Sequence, residues 1–532
     1  HNKFFDFIAA SDINENCELT HIVRYNHQLG LNAEFLKQDI TEPDFLDNLL
    51  QKIGNKKIDV VCGGPPCQSF SLAGKRKKFD KKDDLFSHYL EVIKILQPKY
   101  FVMENVKGIL TKEDGKIKEK EFNTYFTGHG PVMAKRDGKW ISLTSYNRSA
   151  KSLEQSWLRT KAKGLEDYKK AMDLLANTSN NTVFADKDGN IAYWHGNHIP
   201  KRDLKFDWTK PVDGSTSATK YLGLHTVEES VHIYNPKNGW LQNCNSTPFS
   251  AAGINSPNKS NFPSYMAPDG ENFRGINAVR VLNKEHQFTL DKVIEAGYDR
   301  NLSAFEVLIP ALLNAYQTKF ATYPQLKEAI QILKAWDYQS SENSVATTLA
   351  IEWAQKLNRD IMQVYIDAGE KDQVEKTQEF AKTANADKLL TTLTTTLTEL
   401  EKKFGKWQMP WGEVNRFQRL TGKVNEVYDD TKESLPVGFA SALWGQLPSY
   451  NSNVMPGTTK RYGVSGNSFV CAVEFGDKIK AKSVLAGGIS GNVDSIHFKD
   501  QAQNYTQGKF KDVLFYKEDV LKNMEKRYHP GE

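Results

Sequence analysis

Hydrophobic residues in the first 118 positions or so alternate between strand-like and helix-like patterns. Short apolar runs at 5–10, 58–62 and 100–103 have the length and composition of buried strands. Apolar side chains recur at helical spacing over 85–96, and Pro98 ends that segment. Strands that alternate with helices in this order predict an α/β fold with a parallel sheet and helices on its faces.

The pattern changes from about residue 122 onward. Trp, Asn and Thr become frequent, and turn signals at 188–190 and 235–239 separate short strands. The stretch 285–405 is predicted to be rich in helices, and short strands return after about 460. We therefore predict a first domain over 1–112, a charged junction over 113–122 that composition favours as a solvated linker, and a second domain over 123–532.

Composition narrows the class of protein. The 532 residues are too many for one compact domain, and 39% hydrophobic with 25% charged residues is ordinary for a soluble chain. No apolar run reaches about 18 residues, and the N-terminus has no signal-peptide pattern, so we expect a cytoplasmic protein without membrane contact. Five cysteines without a CxxC pair argue against a disulfide scaffold and predict no metal site.

A cysteine follows the predicted strand at 58–62. Pro65 and Pro66 restrict the backbone before Cys67, at the edge of the sheet where ligands bind in open parallel sheets. Glu104 directly follows the next predicted strand, so both side chains are expected at one cleft. A thiolate can add to an electron-poor ring while a carboxyl group protonates a ring nitrogen. The alternative is a small buried cysteine in a rigid turn.

Three short motifs carry a family resemblance: PPCQSFS at 65–71, DDLF at 83–86 and ENV at 104–106. This part of the chain resembles the DNA cytosine-5 methyltransferases. The resemblance implies that Cys67 attacks C6 of a cytosine flipped out of DNA, and that Glu104 binds the base near N3. It implies S-adenosylmethionine as the methyl donor. Lysines and Arg76 within 75–82 suit phosphate contacts, although a solvated loop would have the same composition.

The same resemblance assigns a cofactor site. It implies that Asp12 binds the cofactor ribose, Ile13 packs on the adenine, Asp39 contacts the adenine amino group and Leu85 lines the pocket. An acid at the end of a strand is also a common helix cap, which is the alternative for Asp12 and Asp39. The family's glycine-rich first motif does not precede Asp12, and no QxRxR follows ENV. The expected fold is therefore an incomplete Rossmann-like lobe.

The second part has no GxSxG, HExxH or CxxC motif. A polar stretch at 234–248 contains several Asn residues near turns. Their amides could bond the turn backbone, or they could donate hydrogen bonds to a developing oxyanion.

Six segments in the second part together resemble the penicillin acylase family of N-terminal-nucleophile hydrolases. The resemblance implies an αββα-type body that hydrolyses an N-acyl amide without a cofactor, with β-lactam side chains, acyl-homoserine lactones and lipopeptides as candidate substrates. Asn245 would be the oxyanion donor, and Arg274 would orient it and the amine of the nucleophile; structural roles remain the alternative for both. His129 is interpreted as structural. The segments are 127–132, 184–193, 234–248, 267–275, 410–416 and 486–491.

The nucleophile of that family is a Ser, Thr or Cys at a new N-terminus, and its own amine acts as the base. It would lie before Gly128, where the methyltransferase-like stretch stands instead. Three hypotheses follow: a DNA-modifying enzyme, an amide hydrolase fragment without its nucleophile, or a join of two gene fragments that has neither activity. Methyltransferases of this type work in the cytoplasm whereas these acylases are usually exported, which favours the third.

Overall fold

The structure is a computed structural model, and its chain divides into two compact units, His1–Thr144 and Ser145–Glu532. The predicted junction at 113–122 lies outside the described residues. Those residues are 7–64, 81–103, 124–145, 149–177, 180–220, 222–285, 287–367, 372–423 and 426–529.

The described residues of the first unit form short strands and three α-helices. In chain order they are β1 (Ala9–Ser11), α1 (Glu15–His21), a π-helical segment (Ile22–Gln28), β2 (Glu34–Leu36), α2 (Phe45–Ile53), β3 (Val60–Gly63), α3 (Lys81–Leu96), β4 (Tyr100–Met103), β5 (Phe126–Thr127), β6 (Gly130–Arg136) and β7 (Lys139–Ser142).

The predicted parallel pairing is present in this unit. Strand β1 pairs with β2 in parallel, with Ser11 opposite Leu36, and β3 pairs with β4 in parallel, with Val60 opposite Tyr100. Within the described residues these are two separate two-stranded sheets, and β5–β7 form an antiparallel sheet. A continuous Rossmann-like sheet therefore stays a prediction.

The core of the first unit is small. Helix α2 has Phe45, Leu49 and Ile53 at every fourth position, so that all three face one side and are buried. They pack with Leu36 of β2 and Val92 of α3. This cluster holds the two helices against β2.

The second unit begins with α4 (Ala150–Arg159) and α5 (Leu165–Met172), and its long helices lie where the sequence predicts them. The remaining elements are β8 (Thr182–Ala185), β9 (Ile191–Trp194), β10 (His232–Tyr234), α6 (Phe273–Leu282), α7 (Leu290–Gly297), α8 (Phe305–Lys319), α9 (Lys327–Lys334), α10 (Val345–Asp367), α11 (Gln373–Thr383), α12 (Ala386–Phe404), α13 (Trp411–Val414), β11 (Asn415–Phe417), β12 (Leu435–Pro436), β13 (Tyr450–Val454), β14 (Arg461–Gly466), β15 (Phe469–Glu474), β16 (Lys480–Leu485), α14 (Ala502–Gln507), β17 (Lys511–Asp512) and α15 (Lys517–Lys522).

Helices α8 to α12 build the main core of this unit. Leu349, Trp353 and Leu357 recur at every fourth position of α10 and have no exposed surface. The indole nitrogen of Trp353 donates a hydrogen bond to the Leu389 carbonyl of α12 at 3.1 Å. The buried ring therefore has a partner for its one polar atom.

The second unit also contains three sheets, whose strands come before and after these helices along the chain. Strands β8, β9 and β10 form an antiparallel sheet, β11–β14 form a mixed sheet of order β12-β11-β14-β13, and β15–β17 form an antiparallel sheet. A buried ion pair joins the mixed sheet to α10, because Arg461 donates to Glu352 at 2.9 Å with the two side chains only 8% and 13% exposed. None of the helices in the described ranges is long and apolar enough to cross a membrane.

Candidate functional site

Asparagine side chains near the β8–β10 sheet serve two different purposes. In the turn that follows β10, Asn235 has a positive φ of 44°. Its Oδ1 accepts a hydrogen bond from the backbone N–H of Ile191 at 2.8 Å. Its amide nitrogen donates to Asn190 Oδ1 at 3.0 Å. Both ends of the Asn235 side chain are used within the turns, so its role is structural.

Asn245, ten residues later, is held differently. It also has a positive φ, 55°, which Asn tolerates better than most residues. Arg274 donates from one guanidinium nitrogen to Asn245 Oδ1 at 2.6 Å and to the Cys244 carbonyl at 2.8 Å. Because the amide oxygen faces Arg274, the amide nitrogen of this exposed residue points away from it. The structure thus brings together the two residues that the sequence predicts as a pair.

Asn272 fixes the backbone of the same loop. It caps the N-terminus of α6, where its Oδ1 accepts from the backbone N–H of Gly275 at 2.8 Å. Its amide nitrogen donates to the carbonyls of Cys244 and Asn245 at 3.1 and 3.2 Å. Asn272 was not predicted from the sequence as a site residue, although an Asn directly before a helix is a known capping signal.

The loop and α6 approach each other closely at Gly275. A Cβ atom at this position would lie 2.5 Å from Ser246 Oγ and 2.7 Å from a carboxylate oxygen of Glu271. Ser246 is itself buried. Glycine is therefore required here by space, and the close contact fixes the distance between Arg274 and the Asn245 loop.

A buried histidine lies beside the segment that precedes α6. His195 Nε2 is 2.9 Å from Asp269 Oδ2, and its Nδ1 is 2.9 Å from the hydroxyl of Tyr193. The hydrogen bond with His195 holds the pKa of Asp269 below its ordinary value, against the effect of burial. Asp269 is followed by Gly270, whose carbonyl accepts from the Thr247 N–H at 2.9 Å. These hydrogen bonds therefore connect His195 and Asp269 to the loop that carries Asn245.

This network was not predicted from the sequence. Tyr193 and His195 stand two residues apart at the end of β9, a spacing that puts both side chains on one face of the sheet. Burial raises the pKa of the Tyr193 phenol well above its ordinary range. Burial also raises the pKa of the Cys244 thiol, with the charge of Arg274 acting against it. A protonated thiol is a weak nucleophile.

The predicted cofactor residues of the first unit follow the carboxyl ends of paired strands. Asp12 comes directly after β1, where its backbone N–H donates to the Leu36 carbonyl and its exposed carboxylate accepts from the Asn14 N–H at 2.8 Å. The Ile13 side chain is 64% exposed. Asp39, three residues after β2, accepts from the N–H and hydroxyl of Thr41, each at 2.9 Å. These are local turn bonds and not helix caps, because the N-cap residues of α1 and α2 are Asn14 and Asp44.

Of the remaining predicted site residues of the first unit, one lies within the described residues. Leu85 lies in α3 and is partly exposed. Cys67 and Glu104 lie outside the described residues, as does the basic stretch 75–80. The strands that precede Cys67 and Glu104, β3 and β4, are parallel neighbours that end at Gly63 and Met103. No cluster of metal-binding side chains occurs in the ranges that the structure describes.

Both family resemblances are confirmed by comparison with known proteins. The penicillin amidase family profile matches residues 83–522, and the profile of the C-5 cytosine-specific DNA methylases matches residues 1–127. The two matches overlap at 83–127. A penicillin amidase-like domain and a cytosine-5 methyltransferase domain are therefore present in one chain.

Individual relatives agree with this division. Type II methyltransferase M1.HphI of Haemophilus parahaemolyticus is 47% identical over 88 residues, which are 16% of this chain and 23% of the relative. Type II methyltransferase M.XorII of Xanthomonas oryzae pv. oryzae is 40% identical over 107 residues, 20% of this chain and 24% of the relative. The chain thus spans about a quarter of the length of these curated relatives.

A solved structure matches the larger part of the fold. The thermostable penicillin G acylase from Alcaligenes faecalis has a TM-score of 0.50 and 19% sequence identity, and the match covers 77% of this chain and 78% of that one. At this identity the likeness shows the fold alone. The larger part of the chain has a penicillin acylase-like fold.

Proposed function

We propose, from the premise that this chain belongs to the penicillin amidase family, that residues 123–532 are the body of an N-acyl amide hydrolase of αββα type. The observation that carries the proposal is the contact of Arg274 with Asn245 Oδ1 at 2.6 Å. It turns the amide nitrogen of Asn245 outward, as a donor to an oxyanion must be. The Asn272 contacts and the Gly275 close approach hold that donor in place.

We infer that this body lacks its own nucleophile. In this family the nucleophile begins the β chain, and the methyltransferase-like stretch stands where that segment would be. The partly buried Cys244 is not a replacement, because its raised pKa keeps the thiol protonated. An oxyanion donor without a nucleophile stabilises no tetrahedral intermediate, since none forms.

The test is release of amine from N-acyl compounds, with the Alcaligenes faecalis acylase as positive control. We expect no release by this chain under conditions in which the control is active. Release that Asn245→Ala lowers by about 10²- to 10³-fold would contradict the missing nucleophile but support Asn245 as the donor. Release that Asn245→Ala leaves unchanged would overturn the proposed site.

A second function is favoured by the parallel strand pairs of the first unit. We propose that residues 1–112 are the cofactor and base-binding part of a DNA cytosine-5 methyltransferase, an incomplete Rossmann-like lobe with Cys67 as nucleophile at C6 and Glu104 as the residue that binds the base. Asp12 and Asp39 follow the carboxyl ends of β1 and β2, the edge at which open parallel sheets bind ligands.

The residues present fit S-adenosylmethionine in part. The exposed carboxylate of Asp12 suits a ribose and the exposed side chain of Ile13 suits an adenine ring, and Asp39 and Leu85 would contribute to the same pocket. The cofactor would supply an electrophilic methyl group. Methylation of DNA, if measured, should be abolished by Cys67→Ser; methylation that survives this change would remove Cys67 as the nucleophile.

We also propose that the two parts meet at 113–122, inside the overlap of the two family matches. Limited proteolysis should then cut first within 111–122, whereas early cuts within 1–110 or 123–532 would contradict a linker there. A join of two gene fragments with neither activity is the alternative. Long reads of the source DNA across the codons for Asn105 to Tyr125 distinguish the two, because an artefactual join would leave no single read that carries both parts.

A further inference from the structure

Strand β4 exposes apolar side chains on both of its faces. The side chains of Tyr100, Phe101 and Val102 are 70%, 54% and 56% exposed. Successive residues of a strand point to opposite faces, so apolar side chains are exposed on both faces of β4, although the Tyr89 hydroxyl of α3 donates to the Val102 carbonyl at 3.0 Å. Exposed apolar surface in a continuous run of this kind marks an interaction site.

One edge of β4 is also open. The backbone N–H of Tyr100 donates to the Asp59 carbonyl at 3.0 Å, which turns the backbone of Tyr100 toward β3. Backbone polar groups alternate between the two edges of a strand, so the N–H and C=O of Phe101 face the edge away from β3. No strand in the described part of the chain pairs with that edge.

The composition of β4 is that of an interior strand. Strands at natural sheet edges usually carry charges, prolines or bulges that prevent further pairing. The four residues of β4, Tyr-Phe-Val-Met, include none of these. Strands inside parallel sheets are apolar on both faces because helices cover both sides. A further strand and its covering helices would complete the environment of β4.

We propose that β4 is the docking edge for a second polypeptide, namely the remaining part of a cytosine-5 methyltransferase catalytic domain, which adds a strand beside β4. The proposal rests on the proposed methyltransferase role of the first unit. The occupant follows from the comparisons: the chain spans 23% and 24% of two methyltransferase relatives, and the methylase match ends at residue 127 while the penicillin amidase match continues to 522.

The test is binding of the full chain to a defined probe, the M1.HphI polypeptide without the segment that this chain matches. Both are co-expressed in a bacterial host and co-purified through a tag on the probe, and the affinity is then measured with the purified partners. The probe's own missing segment, added as a peptide chain, is the positive control that the probe can be complemented. We expect the full chain to bind the probe as a one-to-one complex.

Variants of β4 identify the edge. Phe101→Pro removes an N–H that faces away from β3, so it blocks strand addition but keeps the β3 ladder. We expect it, and separately Val102→Lys, to weaken binding by about ten-fold or more, the equivalent of about 1.4 kcal/mol. Val183→Lys changes an exposed residue of β8 in the second unit and should leave the affinity unchanged.

Each outcome decides the question. Absence of binding while the positive control binds would overturn the proposal, as would binding that Phe101→Pro leaves unchanged. Self-association of the chain through β4, detected by sedimentation of the chain alone and abolished by Phe101→Pro, would make a second copy the occupant instead. Methyl transfer is measured separately: a complex that binds but does not methylate keeps the docking edge and removes the proposed methyltransferase function.

Discussion

The two units differ in how much apolar surface they bury. In the second unit, long helices enclose Trp353 and its neighbours on every side, and even the indole nitrogen has a partner. In the first unit, one small cluster around Phe45 is buried while β4 leaves Tyr100 and Phe101 exposed. Because stability grows with the share of surface that a domain buries, burial stabilises the second unit more than the first, in which the side chains of a strand are exposed.

The largest expected effect is on the two cores. Trp353→Ala should lower the free energy of unfolding of the second unit by about 3 to 5 kcal/mol, because it leaves a large cavity and removes a bond to Leu389. Phe45→Ala should destabilise the first unit by a similar amount. Calorimetry should show two transitions, each shifted by only one of the variants.

Trp157→Ala is the control for this comparison, since Trp157 is 63% exposed and its removal should shift neither transition. A single transition that both core variants shift together would contradict the division into independent units.

The next effect tests the close approach between Gly275 and Ser246. Gly275→Ala should destabilise the second unit by about 1 to 3 kcal/mol, since the added Cβ would overlap Ser246 Oγ. Gly297→Ala is the matched control at the end of α7, where a Cβ would meet nothing within 4 Å. Urea unfolding measures both; equal effects would mean that space at Gly275 is not limiting.

A smaller effect on stability is expected from the loss of a helix N-cap, and two variants distinguish this loss from a change at Asn245. Asn272→Ala and Asn385→Ala each remove the N-cap of a helix, α6 and α12, at about 1 kcal/mol each. Only the first also removes one hydrogen bond from each of the carbonyls of Cys244 and Asn245. The side-chain amide NMR signals of Asn245 should therefore move in Asn272→Ala and stay in place in Asn385→Ala. Unchanged signals in both variants would contradict the proposal that Asn272 holds the loop that carries Asn245.

The smallest effect depends on pH. The pKa of Asp269 is lower in the folded state than its ordinary value of about 3.9, so its contribution to stability is present above that value and is lost as the pH falls through the folded pKa. Asp269→Asn should be less stable than the wild type by under about 1 kcal/mol at pH 6, because the carboxylate is half exposed. The difference should shrink toward pH 3 in urea titrations, and a difference that grows instead would contradict the assignment.

Periodicity and motifs predicted much of this molecule. The helical stretch over 285–405, the parallel pairing of β3 with β4 and the Asn245–Arg274 contact follow from apolar spacing or from motif order. The pair of the buried His195 with Asp269 could not be predicted in this way, because the two residues are 74 positions apart and no motif contains both. Asn235 and Asn245 both lie in the polar stretch 234–248, and the structure shows that Asn235 bonds the neighbouring turn whereas Asn245 bonds Arg274.

The ion pair between Arg461 and Glu352 has a consequence for the order of folding. Its partners are 109 positions apart along the chain, so the intervening chain must be closed into a loop before the pair forms. Helix α10 depends on local contacts, whereas the place of β14 against it depends on this distant one. We therefore expect the β11–β14 sheet to reach its final position after the helical core has formed.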